Sequence, residues 1–187
     1  MTLETERLIL RPWNEGDAAE LYKYASDPRV ADPTGFLPHK SVADSRDIIK
    51  NVLSMPDCYA VVLKLTGKPV GCISIMDRHH TVDGIERDDK EIGYWLGVPY
   101  WGRGLIPEAV HELLRRCFYE LDCDDVWCGY YDGNAKSKRV QEKCGFEYRY
   151  TEYEKYNSQT GKYNTIHISA VIKEDWEHKF VNNSYNA

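Results

Sequence analysis

The chain has 187 residues, of which 42% are hydrophobic and 29% are charged, so it can bury one sizeable core but is short for two. Its formal net charge of -6 disfavours nucleic acid and anionic membrane surfaces as partners, although it would attract a cationic substrate. No apolar run approaches the ~18 residues of a membrane span, and the N-terminus does not resemble a signal peptide. We therefore predict a cytoplasmic protein with a single domain over residues 1–187, of which 179–187 form a polar tail.

The N-terminal half predicts a strand, two helices and a β-hairpin, in that order. Leu8 to Leu10 form the strand, and the polar segment Asn14 to Asp17 caps the first helix. After a loop that contains two prolines and a glycine, Ser41 caps the second helix. Two β-rich runs, Tyr59 to Leu65 and Val70 to Met76, are separated by a short turn with Gly and Pro, which predicts the hairpin.

The C-terminal half alternates strands with helices. After a polar loop from Asp77 to Lys90, the predicted elements are the strand Glu91 to Leu96, a long helix, the strand Val126 to Tyr131, a short helix after Asn134, and the strands Phe146 to Tyr156 and Tyr163 to Ile172. Strands that first form a meander and later alternate with helices imply a mixed sheet, antiparallel at its start and parallel in its middle. The predicted fold class is therefore α+β.

The segment that joins the strand at Glu91 to the long helix carries a ligand-binding motif. Gly102 and Gly104 free the backbone to approach a ligand closely, and the first N–H groups of the helix can then hold an anion. Pro107 suits the first helical position. Leu105 stands where a P-loop needs Lys, and Pro107 stands where a dinucleotide fingerprint needs its third glycine. We therefore predict a phosphate cradle of another kind at this helix start.

The cysteines and the polar loop give no metal-binding pattern. Six cysteines lie mostly within apolar strand or helix patterns, namely Cys58, Cys72, Cys117, Cys123, Cys128 and Cys144. Without a C-x-x-C spacing or a chelating histidine set, we interpret them as reduced core residues. The loop Asp77 to Lys90 is rich in Asp, Glu and His but lacks a fixed ligand spacing, so solvated charge is favoured over a metal site. We predict no metal.

Three blocks of residues, in order along the chain, form a specific pattern. They are Thr5, Glu6, Arg7, Leu8, Ile9, Leu10, Arg11 and Pro12 at the start, Glu91 to Leu96 with Trp101 to Gly104 in the middle, and Asn134, Ser137, Glu142, Lys143, Gly145 and Phe146 near the end. Together they resemble the GNAT acetyltransferase superfamily. Within it, the chain is most similar to the branch of ribosomal-protein N-terminal acetyltransferases (RimJ/RimL-like) and spermidine acetyltransferases. The resemblance spans almost the whole chain.

The resemblance implies a GNAT fold, with a mixed sheet of about seven strands flanked by about four helices. Its N-terminal meander would be antiparallel, and a parallel pair would splay apart to admit acetyl-coenzyme A (acetyl-CoA). The residues implied to bind acetyl-CoA are Leu96 and Val98 at the pantetheine arm, Gly102, Arg103, Gly104, Leu105 and Ile106 at the pyrophosphate, and Asn134 and Ser137 near the thiol. A homodimer is compatible with this family.

The chain departs from the superfamily pattern at three positions. Trp101 replaces the common Arg or Gln that opens the glycine loop, and Ile106 lies where Gly or Ala is commoner. Gln141 occupies the position where many members carry the tyrosine that protonates the departing thiolate. If the reaction needs an acid, another residue of this chain must therefore supply it.

Acetyl transfer to an amine needs a neutral nitrogen, a stabiliser for the developing oxyanion and, optionally, a hydrogen-bond donor for the sulfur. Glu91 is our first candidate for the general base, with Glu152 and Glu154 as weaker ones. Ser137 is predicted to hydrogen-bond the sulfur, and a backbone N–H on a bulged strand near Tyr94 to Leu96 to polarise the carbonyl. The plainer alternatives are a solvated carboxylate for Glu91 and a helix cap for Ser137.

These residues predict an N-acetyltransferase that passes acetyl from acetyl-CoA to a primary amine by direct attack in a ternary complex. The amine would belong to a protein N-terminus or to a small polyamine-like molecule. The entrance for the acceptor would be lined by three segments, Asp32 to Lys40, Asp77 to Lys90 and Tyr153 to Tyr163. Solvated charge is the simpler interpretation of these segments.

Other functions were weighed against this prediction. Cys144 is disfavoured as a covalent nucleophile, because it lies at a position that the family fills with an apolar residue. The main alternative is a coenzyme-A-binding sensor or interaction module without turnover, which Gln141 and Ile106 suggest. A nucleic-acid-binding protein is disfavoured by the net negative charge.

Overall fold

The computed structural model describes residues 1–82 and 85–182, which form one eight-stranded sheet with helices on both faces. In chain order the strands are β1 (Leu3–Glu4), β2 (Leu8–Pro12), β3 (Cys58–Leu63), β4 (Lys68–Val82), β5 (Ile85–Leu96), β6 (Asp125–Tyr131), β7 (Glu147–Asn157) and β8 (Lys162–Ile172). Across the sheet they follow the order β1-β2-β3-β4-β5-β6-β8-β7. The exchange of β7 and β8 at the far edge leaves β7 as the edge strand.

The α-helices within the described residues are α1 (Ala18–Ala25), α2 (Pro28–Ala31), α3 (Val42–Asn51), α4 (Leu105–Tyr119), α5 (Ala135–Lys143) and α6 (Lys173–Trp176). A π-helical turn, Glu177–Val181, continues α6, and short 3-10 turns span Glu15–Asp17, Asp32–Thr34 and Val98–Tyr100. The predicted cap of α3 is confirmed, because the Ser41 side chain accepts a hydrogen bond from the Asp44 N–H. Within residues 1–82 and 85–182, no helix has both the length and the apolar character needed to cross a membrane.

Strand pairing confirms the predicted mixed sheet. Every neighbouring pair is antiparallel except β5 and β6, which run parallel and pair only at Lys90 with Val126 and Glu91 with Trp127. The sheet has eight strands rather than about seven, because the two-residue strand β1 pairs with β2. The α+β fold class predicted from the sequence is confirmed.

The core lies on both faces of the sheet. The apolar side of α4, including Val110, Leu113 and Leu114, packs against inward residues of the central strands such as Val61 and Ile73. The opposite face is covered by α1 and α3, which pack on the alternate residues of β3 and β4. Burial on both sides makes the middle of the sheet a rigid support for whatever lies at the β5–β6 gap.

The predicted polar loop from Asp77 to Lys90 is wrong. Its described residues belong to β4 and β5, which pair without interruption from Gly71 opposite Leu96 to Val82 opposite Ile85. Charge compensation explains why so polar a segment forms strands, since Lys90 makes an ion pair with Asp77 directly across the ladder. The continuous register also contradicts the predicted bulge near Tyr94 to Leu96.

Two helix predictions also need correction. Helix α4 begins at Leu105 behind an N-cap at Gly104, so Pro107 is its third residue rather than its first. Residues 179–182 of the predicted polar tail lie at the end of the π-helical turn and beyond it, where Phe180 packs against His111 and Trp176. The turn has five residues, which is too few for a helical periodicity to be recognised in the sequence.

Candidate active site

A cleft of about 770 Å³ opens where β5 and β6 separate beyond Glu91. Most of the residues predicted to act or to bind the coenzyme line this cleft, namely Glu91, Leu96, Gly102, Arg103, Gly104, Leu105, Ile106, Asn134 and Ser137. Val98 is not among the lining residues; it lies in the 3-10 turn after β5, and its carbonyl accepts a hydrogen bond from the Trp101 N–H. The splayed pair therefore gathers residues from β5, α4 and α5 around one space.

The two glycines of the cradle are required by backbone conformation. Gly102 has a φ of 75° and Gly104 a φ of 74°, in the left-handed region that L side chains rarely adopt. A Cβ on Gly102 would meet nothing within 4 Å. The left-handed turn aims the start of α4 at the cleft, where the helix dipole and its first N–H groups favour an anion.

The N-terminal block of the sequence pattern holds this cradle in place. Arg7 donates to the Arg103 carbonyl at 2.9 Å and to Glu108, in the first turn of α4, at 2.6 Å. Thr5 donates a second hydrogen bond to Glu108. Burial alone would raise the pKa of Glu108, but the hydrogen bonds from Thr5 and Arg7 outweigh it and lower that pKa. These hydrogen bonds thus connect the segment between β1 and β2 to the start of α4.

The cleft wall is cationic although the whole chain is anionic. Its basic lining residues are Arg29, Arg103, Lys136, Arg139 and Lys143, whereas Glu91 is the one acidic residue that lines it among the described residues. The Lys136 ammonium lies 4.0 Å from the ring centroid of Trp101. This charge distribution suits a polyphosphorylated ligand and leaves one carboxylate at the other end.

Two of the departures from the family pattern are accommodated by the packing. Ile106 is 5% exposed and belongs to the core under α4, so its β-branched side chain is accommodated by apolar packing. The Trp101 indole donates to the Leu96 carbonyl at 2.7 Å and closes the end of β5. Because the Gly97 N–H bonds the Val70 carbonyl, the alternation of the ladder turns the Leu96 backbone towards the gap.

Ser137 lies at the centre of a hydrogen-bond network on the cleft wall. Its backbone N–H donates to the Asn134 side chain at 3.1 Å, which makes Asn134 the N-cap of α5. Its hydroxyl lies 2.9 Å from the Tyr94 hydroxyl and 3.5 Å from the Gln141 side-chain nitrogen. Burial raises the pKa of Tyr94 well above its usual value. Tyr94 was not predicted as a site residue, because only the sheet brings it to α5.

Glu91 is not a free carboxylate. It makes an ion pair with Arg78, whose guanidinium also donates to the Tyr150 hydroxyl at 2.8 Å. Glu152 lies 3.7 Å from the same guanidinium, whereas Glu154 is exposed. Arg78 gives no signal as a site residue in the sequence, because its polar neighbours are typical of a loop. Of the two weaker candidates for the base, Glu152 therefore lies beside the Arg78–Glu91 ion pair, and Glu154 does not.

The segments predicted to form the acceptor entrance are brought together in part. Asn157, the last residue of β7, donates to the Gly35 carbonyl at 2.8 Å, so the Tyr-rich hairpin contacts the segment after α2. A second cavity of about 460 Å³ lies there and shares Thr34, Tyr131 and Ile166 with the main cleft. Positions 83 and 84, and the side chains of His80, Glu86 and Asp88, lie outside the described residues.

Residues 7–147 match the family described as Acetyltransferase (GNAT) domain. The chain therefore belongs to the GNAT acetyltransferase family, whose members use acetyl-CoA as the acetyl donor. The predicted enzyme class, a GNAT N-acetyltransferase, is confirmed.

Individual relatives agree with this family. The chain is 29% identical over 182 residues to "Uncharacterized N-acetyltransferase p20" of Bacillus licheniformis, which covers 94% of this chain and 98% of that protein. It is 33% identical over 116 residues to "Putative ribosomal N-acetyltransferase YdaF" of Bacillus subtilis (strain 168), covering 59% of this chain and 57% of the relative.

Among solved structures, the fold is similar to "Mycobacterium smegmatis RimJ in complex with CoA-disulfide", with a TM-score of 0.74 at 19% identity. That match covers 98% of this chain and 95% of the other. At this level of identity the likeness supports the fold alone.

Proposed function

We propose that this enzyme acetylates the α-amine of a protein N-terminus by direct attack on acetyl-CoA in a ternary complex. The observation that carries the proposal is one continuous cleft between β5 and β6, with a cationic cradle at one end and the Glu91 carboxylate at the other. Such a cleft admits donor and acceptor from different sides, as a direct transfer requires.

The residues of the cradle suit the coenzyme. The backbone N–H groups from Gly102 to Ile106 would hold its pyrophosphate, and the Leu96 backbone its pantetheine arm. Ser137 would donate to its sulfur. When bound, acetyl-CoA supplies an activated acetyl thioester, and the chain's own task is to orient that group and exclude water.

The acceptor is inferred from the charge beside Glu91. A lysine-type amine with a pKa of about 10.4 costs about 4 kcal/mol to deprotonate near neutral pH, whereas an α-amine near 8 costs under about 1 kcal/mol. A carboxylate already paired with Arg78 suffices for the second but is poorly suited to the first. Among the described residues that line the cleft, Glu91 is the one acidic residue. A polyamine with several positive charges would therefore find one carboxylate to bind there. The printed name of the relative YdaF, a ribosomal N-acetyltransferase, points the same way.

Direct attack is supported by the state of the cysteines near the cleft. Cys128 lines it but is 2% exposed, and burial raises the pKa of its thiol well above the usual value. Cys144 is fully buried beside the Pro107 carbonyl, and burial raises its pKa to about 12. Neither thiol is a thiolate near neutral pH, so neither suits a covalent acetyl intermediate.

A thiol-release screen across N-terminal peptides, polyamines and aminoglycosides tests the proposal. We expect amine-dependent release with N-terminal peptides, a kcat lowered about 100-fold by Glu91→Gln, and a kcat lowered about tenfold by Ser137→Ala. Cys144→Ala serves as the matched control and keeps full turnover. Binding of acetyl-CoA without amine-dependent release by the unaltered protein would favour the alternative, a coenzyme-A-binding sensor. Preferential turnover of polyamines would overturn the acceptor inference.

A further inference from the structure

The Ser137 hydroxyl has two polar neighbours that face it from different elements. Tyr94, on β5, presents its hydroxyl at 2.9 Å, and Gln141, one turn further along α5, presents its amide nitrogen at 3.5 Å. A serine hydroxyl carries one proton and two acceptor lone pairs. If both neighbours donate, the lone pairs are used and the Ser137 proton is left for a partner in the cleft.

The contact between Tyr94 and Ser137 can run in either direction, and the two directions have different consequences. If the Ser137 hydroxyl donates to Tyr94, the Tyr94 hydroxyl donates instead to the Ser137 carbonyl, at the longer distance of 3.3 Å. If Tyr94 donates, the shorter contact is used and the Ser137 proton can point into the cleft. An anionic sulfur in the cleft selects the second arrangement, because a charged acceptor binds a donor more strongly than a neutral one.

We propose that Tyr94, helped by Gln141, is a positioning residue that directs the Ser137 hydroxyl proton towards the sulfur of the coenzyme. This inference rests on the proposed function, and it gives a role to the glutamine at a position where many superfamily members carry a tyrosine. In this chain the phenol comes from the sheet and acts through Ser137.

The chemistry of the transfer is consistent with that role. As the N–C bond forms and the C–S bond breaks, the sulfur keeps the electron pair, and Ser137 donates a hydrogen bond to it. The amine gives its proton to water or to Glu91, and the sulfur takes its proton from water, so charge and atoms balance. Burial holds the pKa of Tyr94 well above its usual value, so Tyr94 stays a phenol and remains a hydrogen-bond donor throughout.

A double-mutant cycle on kcat separates positioning from packing. Tyr94→Phe keeps the ring that packs on the core and removes the hydroxyl. We expect it to lower kcat about tenfold in the unaltered protein and to have no further effect in Ser137→Ala, because Tyr94 acts only through Ser137. A packing defect would instead lower kcat by the same factor in both backgrounds, which would overturn the proposal.

A titration of bound coenzyme A gives a second readout that needs no acceptor and no turnover. The ultraviolet absorbance of the thiolate reports the pKa of the bound thiol in each variant. A hydrogen bond to the thiolate stabilises the charged form and so lowers the pKa of the bound thiol. Because each substitution weakens that hydrogen bond, Tyr94→Phe and Ser137→Ala should each raise the pKa by about 1. Equal values in the unaltered protein and in both variants would overturn the proposal, even if no amine proves to be a substrate.

Tyr59→Phe is the matched control for both experiments. It also removes a buried tyrosine hydroxyl from its hydrogen bond, in this case with Asp57 and outside the cleft. We expect kcat and the pKa of the bound thiol to stay unchanged. If the unaltered protein releases no thiol with any amine while the titration gives the expected rise, the proposed function fails and the role of Tyr94 stands.

Discussion

The Glu91 carboxylate lies in the cleft with its charge balanced by the Arg78 guanidinium, which in turn bonds Tyr150 and lies over the Trp127 ring at 5.4 Å from its centroid. The side chains of Arg78 and Glu91 are 12% and 24% exposed, so the pair is shielded from most solvent screening. Four strands thus cooperate to hold one carboxylate, which fixes where an acceptor amine can meet it.

We predict that Arg78→Gln lowers kcat about tenfold and destabilises the fold by about 2 kcal/mol, because it leaves Glu91 without its charge partner. Arg78→Lys should recover part of both losses, since it keeps the charge but not the fork of donors. Steady-state kinetics and thermal unfolding measure these effects. Arg149→Gln, on the exposed edge strand, is the control and should change neither. An unaltered kcat in Arg78→Gln would contradict the role assigned to the pair.

At the scale of elements, the start of α4 shows why the cradle depends on backbone conformation. A Cβ on Gly104 would lie 3.6 Å from the Arg7 guanidinium, which is an ordinary contact, so space is available there. The φ of 74° is what a side chain resists. Because Gly104 is also the N-cap, strain at this residue is transmitted directly to the first N–H groups of the helix.

Gly104→Ala should therefore cost roughly 1–2 kcal/mol of folding stability and weaken coenzyme A binding about tenfold. Calorimetric titration with coenzyme A measures the second effect, and thermal unfolding the first. Gly67→Ala places the same strain in the turn between β3 and β4, where φ is 66° and a Cβ meets nothing within 4 Å. That control should lose stability and keep its affinity. Equal affinity in both variants would show that the cradle does not hold the coenzyme.

The long β4–β5 hairpin is the element that sequence reasoning described least well. Its polar residues give no alternation of apolar and polar positions, and alternation is the signal by which a strand is recognised. The strands form because the pairing begun in the buried part of the sheet continues outwards, with an ion pair between Asp77 and Lys90 across the ladder. Placing Arg78 beside Glu91 required that register.

At the scale of the whole molecule, the C-terminal segment closes the core beyond the last strand. The Trp176 indole donates to His111 Nδ1 at 3.1 Å, and the Phe180 ring lies 4.6 Å from the His111 ring between centroids. Because Nδ1 accepts this hydrogen bond, His111 is neutral when the segment is docked. Burial correspondingly lowers the pKa of His111.

This contact predicts how stability depends on pH. An unfolded histidine takes up a proton as the pH falls through about 6.5, whereas the folded protein resists protonating His111, so stability is lost as the pH falls below that value. Buried His39, whose pKa burial also lowers, adds to the same trend. His111→Gln, which keeps an acceptor for Trp176, should lose less Tm between about pH 7.5 and 5.5. The exposed His178→Gln is the control. An acid sensitivity unaltered by His111→Gln would contradict the prediction.

Sequence patterns alone were enough to predict the features that depend on short stretches of chain. These are the α4 helix, the glycine cradle before it, the short helix α5 after Asn134, the mixed character of the sheet and the family to which the chain belongs. Each rests on spacing within one element, or on blocks whose order is visible in the sequence. Glu91 and Ser137 were nominated in this way, as was the gap that both of them line.

The surroundings of Glu91 and Ser137 depend instead on contacts between elements that are distant in the sequence. Tyr94 and Ser137 are 43 positions apart, and Arg78 reaches Tyr150 across 72 positions. Such contacts follow from strand order and register, and a shift of one residue would turn the strand side chains of Arg78, Tyr94 and Tyr150 to the other face. The packing of α4 and of the C-terminal turn likewise depends on surfaces that form only when the sheet is complete. The residues proposed to react are therefore found by local sequence patterns, whereas the residues proposed to position them are brought to the site only by the fold.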